Sequence, residues 1–186
     1  MPVIAASEVH GLASTNDKQL KTALGQWLDS PPRRIDRLIL QCLLAAAPLK
    51  SQVRNNCGLY LASAHPARAT MGALLEAVCV QHKQPKPFEF VNSVSNAAGF
   101  HIAQQLGIEG PNLFIGAGEQ VWAQLLSLAN LDLQDGLIEQ ALLLVCDERG
   151  DFCVQALLLE GAITGAYTNS FAELSAGIKV MQLQLE

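Results

Sequence analysis

Phe90-Val91-Asn92-Ser93-Val94-Ser95-Asn96-Ala97-Ala98-Gly99-Phe100, followed by Gly110-Pro111 and then by Phe114-Ile115-Gly116-Ala117-Gly118-Glu119-Gln120, decides how this chain is read. The order predicts a helix of small residues, a Gly-Pro break, a short apolar strand over Leu113 to Ile115, a tight glycine turn and a second helix over Glu119 to Leu128. Ser95 or Asn96 caps the first helix, which ends near Leu106 with Gly107 beyond it. Residue 119 is thereby expected at a helix N-terminus, where the dipole favours negative charge.

Outward from this stretch, strands and helices alternate. Val3 to Leu12 predicts a first strand, and the turn-like Ser14-Thr15-Asn16-Asp17 starts a helix that runs to about Leu28. After Pro31-Pro32, the residues Ile35, Leu38, Ile39, Cys42, Leu43 and Ala46 fall at helical spacing. Leu40, Leu44 and Ala45 widen that stripe and predict burial on more than one face. Leu59 to Ala62 fits a buried strand, and Ala67 to Gln81 a further helix. His82 to Pro87 is a loop, because its two prolines exclude a helix interior. Gln140 to Cys146 and Phe152 to Leu159 form a hairpin about the polar tip Asp147-Glu148-Arg149-Gly150-Asp151. Phe171 to Leu185 reads as a final helix or a strand. The whole predicts an α/β fold with a mostly parallel five-stranded sheet, helices on both faces and a C-terminal antiparallel hairpin.

The chain has 186 residues, half of them hydrophobic, which suits one domain over 1–186. Charged residues are 16%, against about 25% in an average domain, so oligomerisation is expected. Twelve basic and 17 acidic residues give a net charge of −5, which offers no general attraction for nucleic acid or anionic lipid. No secretory signal or membrane span is expected, which points to the cytoplasm. The five cysteines, Cys42, Cys57, Cys79, Cys146 and Cys153, contain no C-x-x-C pair. They read as reduced core residues rather than a zinc site; Cys146 and Cys153 are the one pair that the hairpin could bring near each other, and packing is expected there rather than pairing. No cofactor is expected.

The stretch over residues 90 to 120 resembles the N-terminal half of the beta-ketoacyl synthases, the condensing enzymes of the thiolase-like superfamily. There the tenth residue, counted from the glycine of Gly-Pro, is a reactive cysteine; here that count from Gly110 ends at Glu119. In the family the strand-to-helix turn exposes the sulfur, and the helix N-terminus favours the thiolate. Gly116, Ala117 and Gly118 keep the turn small. A glutamate is a poorer nucleophile and forms a labile anhydride, so covalent catalysis is expected to be lost. The second, repeated half with its two histidines and lysine is not expected either, and none of His10, His65, His82 or His101 matches those positions.

The resemblance implies a catalytically inactive, truncated synthase-like protein. It is similar to the chain-length factors of polyketide and aryl-polyene systems, which lack the cysteine and pair with an active ketosynthase. In some of them a glutamine takes the cysteine position, and Gln120 lies one residue further along. The implied partners are a second copy or a full-length ketosynthase, with the strand Leu113 to Gly116 paired across the dimer, in fatty-acid or polyketide biosynthesis. The alternative is an enzyme that binds or decarboxylates acyl thioesters with Glu119 as base.

Each signal also has a plainer reading. Helix-dipole stabilisation alone accounts for Glu119. Gly116-Ala117-Gly118 lacks the third glycine of a dinucleotide fingerprint, whose place is taken by Val121. Lys83, Lys86 and His82, with Arg33 and Arg34, would suit an acidic acyl carrier protein or simply form a solvated basic surface. Trp122 reads as a core tryptophan, His101 as a packed or surface histidine, and Asn92 and Ser95 as residues that order the segment.

Overall fold

The computed structural model describes residues 2–148, 150–165 and 167–185. Arg149 of the expected hairpin tip lies outside these described residues. Strand β1 (Val3–Gly11) leads to helix α1 (Asp17–Leu24). Asn16 starts that helix with a capping box: its Oδ1 accepts from the Lys18 and Gln19 amides, while Gln19 Oε1 accepts from the Asn16 amide. Asp36 caps α2 (Arg37–Ala46) by accepting from the Leu38 amide at 2.8 Å. Every residue of α2 from Leu38 to Ala46 is buried, as the wide apolar stripe predicts.

A 3-10 turn over Ala47–Gln52 delivers the chain into β2 (Cys57–Ser63), which is buried throughout. The expected Ala67-to-Gln81 helix is α3 (Arg68–Leu75), closed by a π-helical turn over Glu76–Val80. After the loop comes α4 (Pro87–Asn92), a helix not foreseen in the sequence, with proline at its first position where the missing amide costs nothing. Helix α5 (Ala97–Leu106) ends at Gly107, whose φ of 72° is the left-handed conformation that glycine supplies. Gly110-Pro111 then turns the chain into β3 (Asn112–Gly116). A side chain at Gly110 would fall on the Cys57 carbonyl, so this glycine is required by close approach to β2.

Helix α6 (Val121–Gln134), the hairpin β4 (Gln140–Asp147) and β5 (Phe152–Glu160), the short helix α7 (Phe171–Leu174) and β6 (Val180–Leu185) complete the fold. The strands form one six-stranded sheet in the order β3-β2-β4-β5-β1-β6. Pairings β2/β3, β2/β4 and β1/β6 are parallel; β4/β5 and β1/β5 are antiparallel. The sheet therefore has a sixth strand beyond the expected five. Its parallel pairings outnumber the antiparallel ones only narrowly, because β1 runs opposite to β5. The hairpin lies in the middle of the sheet, and residues 171–185 supply a helical turn and a strand rather than one or the other.

Helices cover both faces. Leu20 and Leu24 of α1, the α2 stripe and Ile102 of α5 share a core with Leu59, Leu61, Leu142, Leu144 and Leu158. On the other face Trp122, Leu125, Leu126 and Ala129 of α6 pack with Tyr60, Leu143, Leu157 and Phe171. Fully burying one such leucine contributes about 1.5–3 kcal/mol, so the sandwich of α2, sheet and α6 holds the elements around it.

The cysteine expectation needs correction. Cys42, Cys57 and Cys146 are buried, but Cys79 is exposed on the π-helical turn and Cys153 is only half-buried. Cys146 stands opposite Val154, and Cys153 opposite Asp147. That one-residue offset sends the two sulfurs to opposite faces of the sheet, so they do not meet across the hairpin. All five thiols are free. Burial, with Glu8 and Asp147 nearby, pushes the Cys153 thiol up to about 11. Among the described residues, no helix is long and apolar enough to cross a membrane.

Candidate functional site

The carboxyl ends of the parallel strands β2, β3 and β4 open into a cavity of about 360 Å³ lined by Ala64, Ala117, Gly118, Glu119, Val121 and Asp147, with Val145 and Cys146 behind. A crevice at this end of a parallel sheet is where such folds place ligands. The ladder between β2 and β3 runs out at Ser63 and Gly116, with one more bond from the Ala117 amide to the Ser63 carbonyl at 3.1 Å. Beyond it the chain turns through Gly118, Glu119 and Gln120 before α6 begins at Val121.

Glu119 is thus exposed in the turn that follows the glycines. It is not the first residue of the helix, as the sequence predicts; α6 starts two residues later, with Gln120 in the capping position and making no capping bond. The cap comes from elsewhere. Asn169, in the loop before α7, accepts from the Trp122 amide at 2.9 Å and the Ala123 amide at 3.4 Å through Oδ1. Its Nδ2 donates to the Glu119 carbonyl. The amides that would otherwise face an anion at this helix end are therefore engaged. The partners of Asn169 lie 46 to 50 residues away, and no local signal in the sequence connects them.

Added Cβ atoms at Gly116 and Gly118 meet nothing within 4 Å, so neither glycine is required by crowding in this chain. Cys146 borders the cavity, but its sulfur turns to the other face of the sheet, 3.9 Å from Gln41 Oε1 of α2. A hydrogen bond with Cys42 together with burial pushes its thiol well above the usual range, which leaves it protonated and inert. Trp122 is buried and packs against Phe171 at 5.7 Å between ring centres, the core role expected for it.

The remaining candidates lie away from this cavity. None of the four histidines lines it. His101 is half-buried on α5, with its Nδ1 buried and unpartnered; burial lowers its pKa. His65 Nδ1 lies 2.6 Å from the Ala64 carbonyl. Asn96 stands at the N-cap of α5 without a side-chain bond, so neither Ser95 nor Asn96 caps as expected. Asn92 does order its segment, because its Nδ2 donates to the Arg34 carbonyl at 2.8 Å. Lys86 pairs with Glu89 at 3.4 Å, and Lys83 donates to Gln81.

Arg33 and Arg34 border a second, apolar groove of about 440 Å³ between Phe88, Val91 and Phe100, with the Arg34 guanidinium 5.7 Å from the Phe88 ring centre. Around it α3, the π-helical turn and α4 bury no residue. Leu75, Val80, Phe88, Phe90, Val91 and Phe100 are all more than half exposed. Strand β3, at the edge of the sheet, carries the exposed Leu113.

No protein-family model matches the sequence, and no curated protein matches it. Solved structures do. The ishigamide ketosynthase/chain length factor superposes with a TM-score of 0.67 and 15% identity over 82% of this chain and 49% of that one. A chain of the ketosynthase (ApeO) in complex with its chain length factor (ApeC) from Xenorhabdus doucetiae gives 0.63 and 14%, covering 86% of this chain and 79% of that one. A type II polyketide synthase acyl-carrier protein complex with its ketosynthase, AntDE:AntF, gives 0.59 and 11% over 85% and 61%. The chain spans about half the length of the first of these. At such identities the likeness is one of fold. The chain has the fold of these ketosynthase and chain-length-factor structures.

Proposed function

We propose that this chain, as one ketosynthase-like domain over residues 1–186, is a non-condensing accessory of the chain-length-factor kind. It pairs with a second copy or with a full-length ketosynthase in fatty-acid or polyketide synthesis of the aryl-polyene type. The observation that carries this reading is the elbow. A carboxylate, Glu119, stands where the resemblance puts the attacking sulfur, while Asn169 engages the Trp122 and Ala123 amides that would favour a thiolate. Cys146, buried and held protonated beside Cys42, is no substitute.

Three features support pairing. Strand β3 ends the sheet, and its outer backbone groups have no strand to bond among the described residues. Leu113 and the exposed Phe88, Phe90, Val91 and Phe100 add apolar surface that a partner would bury. Gly116 and Gly118, which nothing in the chain itself crowds, leave room for a neighbouring backbone. The groove beside Arg33 and Arg34 suits an acidic carrier protein as a transient third party.

The test has two arms. Incubation with malonyl and acyl thioesters is expected to give no condensation or decarboxylation. Turnover that disappears in Glu119→Ala would overturn the accessory reading in favour of an acyl-thioester enzyme. Copurification from co-expression with a ketosynthase encoded beside this chain is expected to yield a stable heterodimer or, without it, a homodimer. A monomer under both conditions sinks the assembly role.

A further inference from the structure

On the sheet face opposite α2, where the second half of β1 pairs with the start of β5, four polar side chains come together beside Asp147. In the antiparallel pairing of β1 and β5, Glu8 stands opposite Gln155 and His10 opposite Cys153. Val9 and Val154 between them point into the α2-side core, so the strand pleat sends Glu8, His10, Cys153 and Gln155 to one common face. Glu8 Oε2 lies 3.3 Å from His10 Nε2. Cys153 Sγ lies 3.9 Å from the same nitrogen. One donor atom from each of the three residues falls within 4.8 Å of the others.

From this geometry we infer that Glu8, His10 and Cys153 form a three-ligand site for a divalent transition metal ion of the zinc type, with water in the fourth position. Zinc bonds to imidazole nitrogen and carboxylate oxygen are about 2.0–2.2 Å and to thiolate about 2.3 Å, so tetrahedral neighbours sit about 3.4–3.6 Å apart. The two separations from His10 Nε2, 3.3 and 3.9 Å, lie either side of that spacing, and with all three donor atoms within 4.8 Å of one another the set contracts onto the ion as it binds. A mixed thiolate, imidazole and carboxylate set suits zinc or cobalt and is wrong for magnesium or calcium, which take oxygen alone.

Two further features fit a ligand set. Gln155 Nε2 donates to Glu8 Oε1 at 2.6 Å, which fixes the carboxylate and leaves Oε2 turned to His10; an outer-shell partner of this sort orients a ligand. The His10 side chain is 45% exposed and that of Glu8 16%, so an ion has access from solvent while the carboxylate stays held. Binding displaces the Cys153 thiol proton to solvent and leaves the thiolate on the metal. The absence of a C-x-x-C pair, which argues against zinc in the sequence, does not bear on this arrangement. Its ligands come from two strands whose partners lie 143 residues apart. The inference is independent of the proposed accessory role.

The experiment is a titration of the metal-free chain with Co2+, read by the near-ultraviolet thiolate-to-cobalt charge-transfer band, and with Zn2+ in competition. One equivalent is expected to saturate the band. Cys153→Ser is expected to abolish it, His10→Gln and Glu8→Gln to weaken binding at least tenfold, and Gln155→Leu to weaken it by about 10–100-fold. Cys79→Ser, the control for the exposed thiol, is expected to leave it unchanged. Thermal melts without metal establish that each variant folds; if Cys153→Ser does not, the His10 and Glu8 variants decide. No band in the unaltered chain, a band that survives Cys153→Ser, or one lost only in Cys79→Ser overturns the site.

Discussion

Asn169 Oδ1 accepts the Trp122 amide at 2.9 Å and so ties the loop before α7 to the first turn of α6. The contact engages two amides of the α6 N-terminus that would otherwise be open to an anion. It also joins the elbow to a part of the chain that follows the whole sheet except β6. Removing it in Asn169→Ala is expected to cost about 1 kcal/mol of unfolding free energy, the usual loss of an N-cap, measured by urea denaturation. Asn169→Asp keeps the acceptor and is expected to recover most of that loss.

Restoring a sulfur at the elbow is not expected to restore its reactivity. In a Cys79→Ser background, Glu119→Cys is expected to alkylate with the pH dependence of an ordinary exposed thiol, about 8.5. Adding Asn169→Ala frees the α6 amides and is expected to move that profile to lower pH. The rate of iodoacetamide modification against pH reads both, and an already low value in the single variant would show that Asn169 does not occupy the helix end.

The edge strand gives a prediction about assembly. Leu113→Glu places a charge on the edge strand β3 at an exposed residue outside both cores. It is expected to lower the fraction of dimer at least tenfold, in light scattering after size exclusion, with the melting temperature of the isolated chain unchanged. A like charge on each copy and the loss of apolar area act in the same direction.

The two kinds of glycine separate in the same way. Gly110→Ala is expected to destabilise the isolated chain by about 1–3 kcal/mol, because its Cβ would fall on the Cys57 carbonyl. Gly116→Ala meets nothing within the chain and is expected to leave the monomer's stability within about 0.5 kcal/mol, in chemical denaturation. Any larger effect of Gly116→Ala should appear only as weakened assembly.

Burial lowers the pKa of His101 below its unfolded value, so the unfolded chain binds more protons there. Stability from keeping this histidine neutral is present above about pH 6.5 and is lost as the pH falls through the lowered folded value. Glu148 has the opposite sign. Burial, with the Asp36 charge next, raises its pKa, so its ionisation costs stability as the pH rises through the raised value. Glu148→Gln is therefore expected to raise the melting temperature at pH 7 but not at pH 4, whereas His101→Phe should flatten the acid side of the profile.

Much of the architecture was legible in local pattern. The Asn16 capping box, the buried stripe of α2, Gly107 beyond α5 and the polar hairpin tip each express a preference that acts within a few residues. So does the α/β order ending at the glycine elbow, and with it the resemblance on which the functional reading stands. Where the pattern misled, the cause lay in partners far along the chain. Val180–Leu185 alternates weakly and becomes a strand only because β1 offers a parallel edge. Cys146 and Cys153 are neighbours in the hairpin yet face opposite ways, which pairing register alone decides.

Residue order determined that Glu119 follows the glycine turn after β3 and that the helix over Ile35 to Ala46 is buried on more than one face. Tertiary structure alone decided that α6 begins at Val121 with Asn169 as its cap, that β3 is an edge, and that Glu8, His10 and Cys153 meet. Local caps such as that of Asn16 depend on contacts within a turn, which sequence spacing records. Pairing register and loop return depend on burial across the whole chain, and no short stretch of residues carries that information.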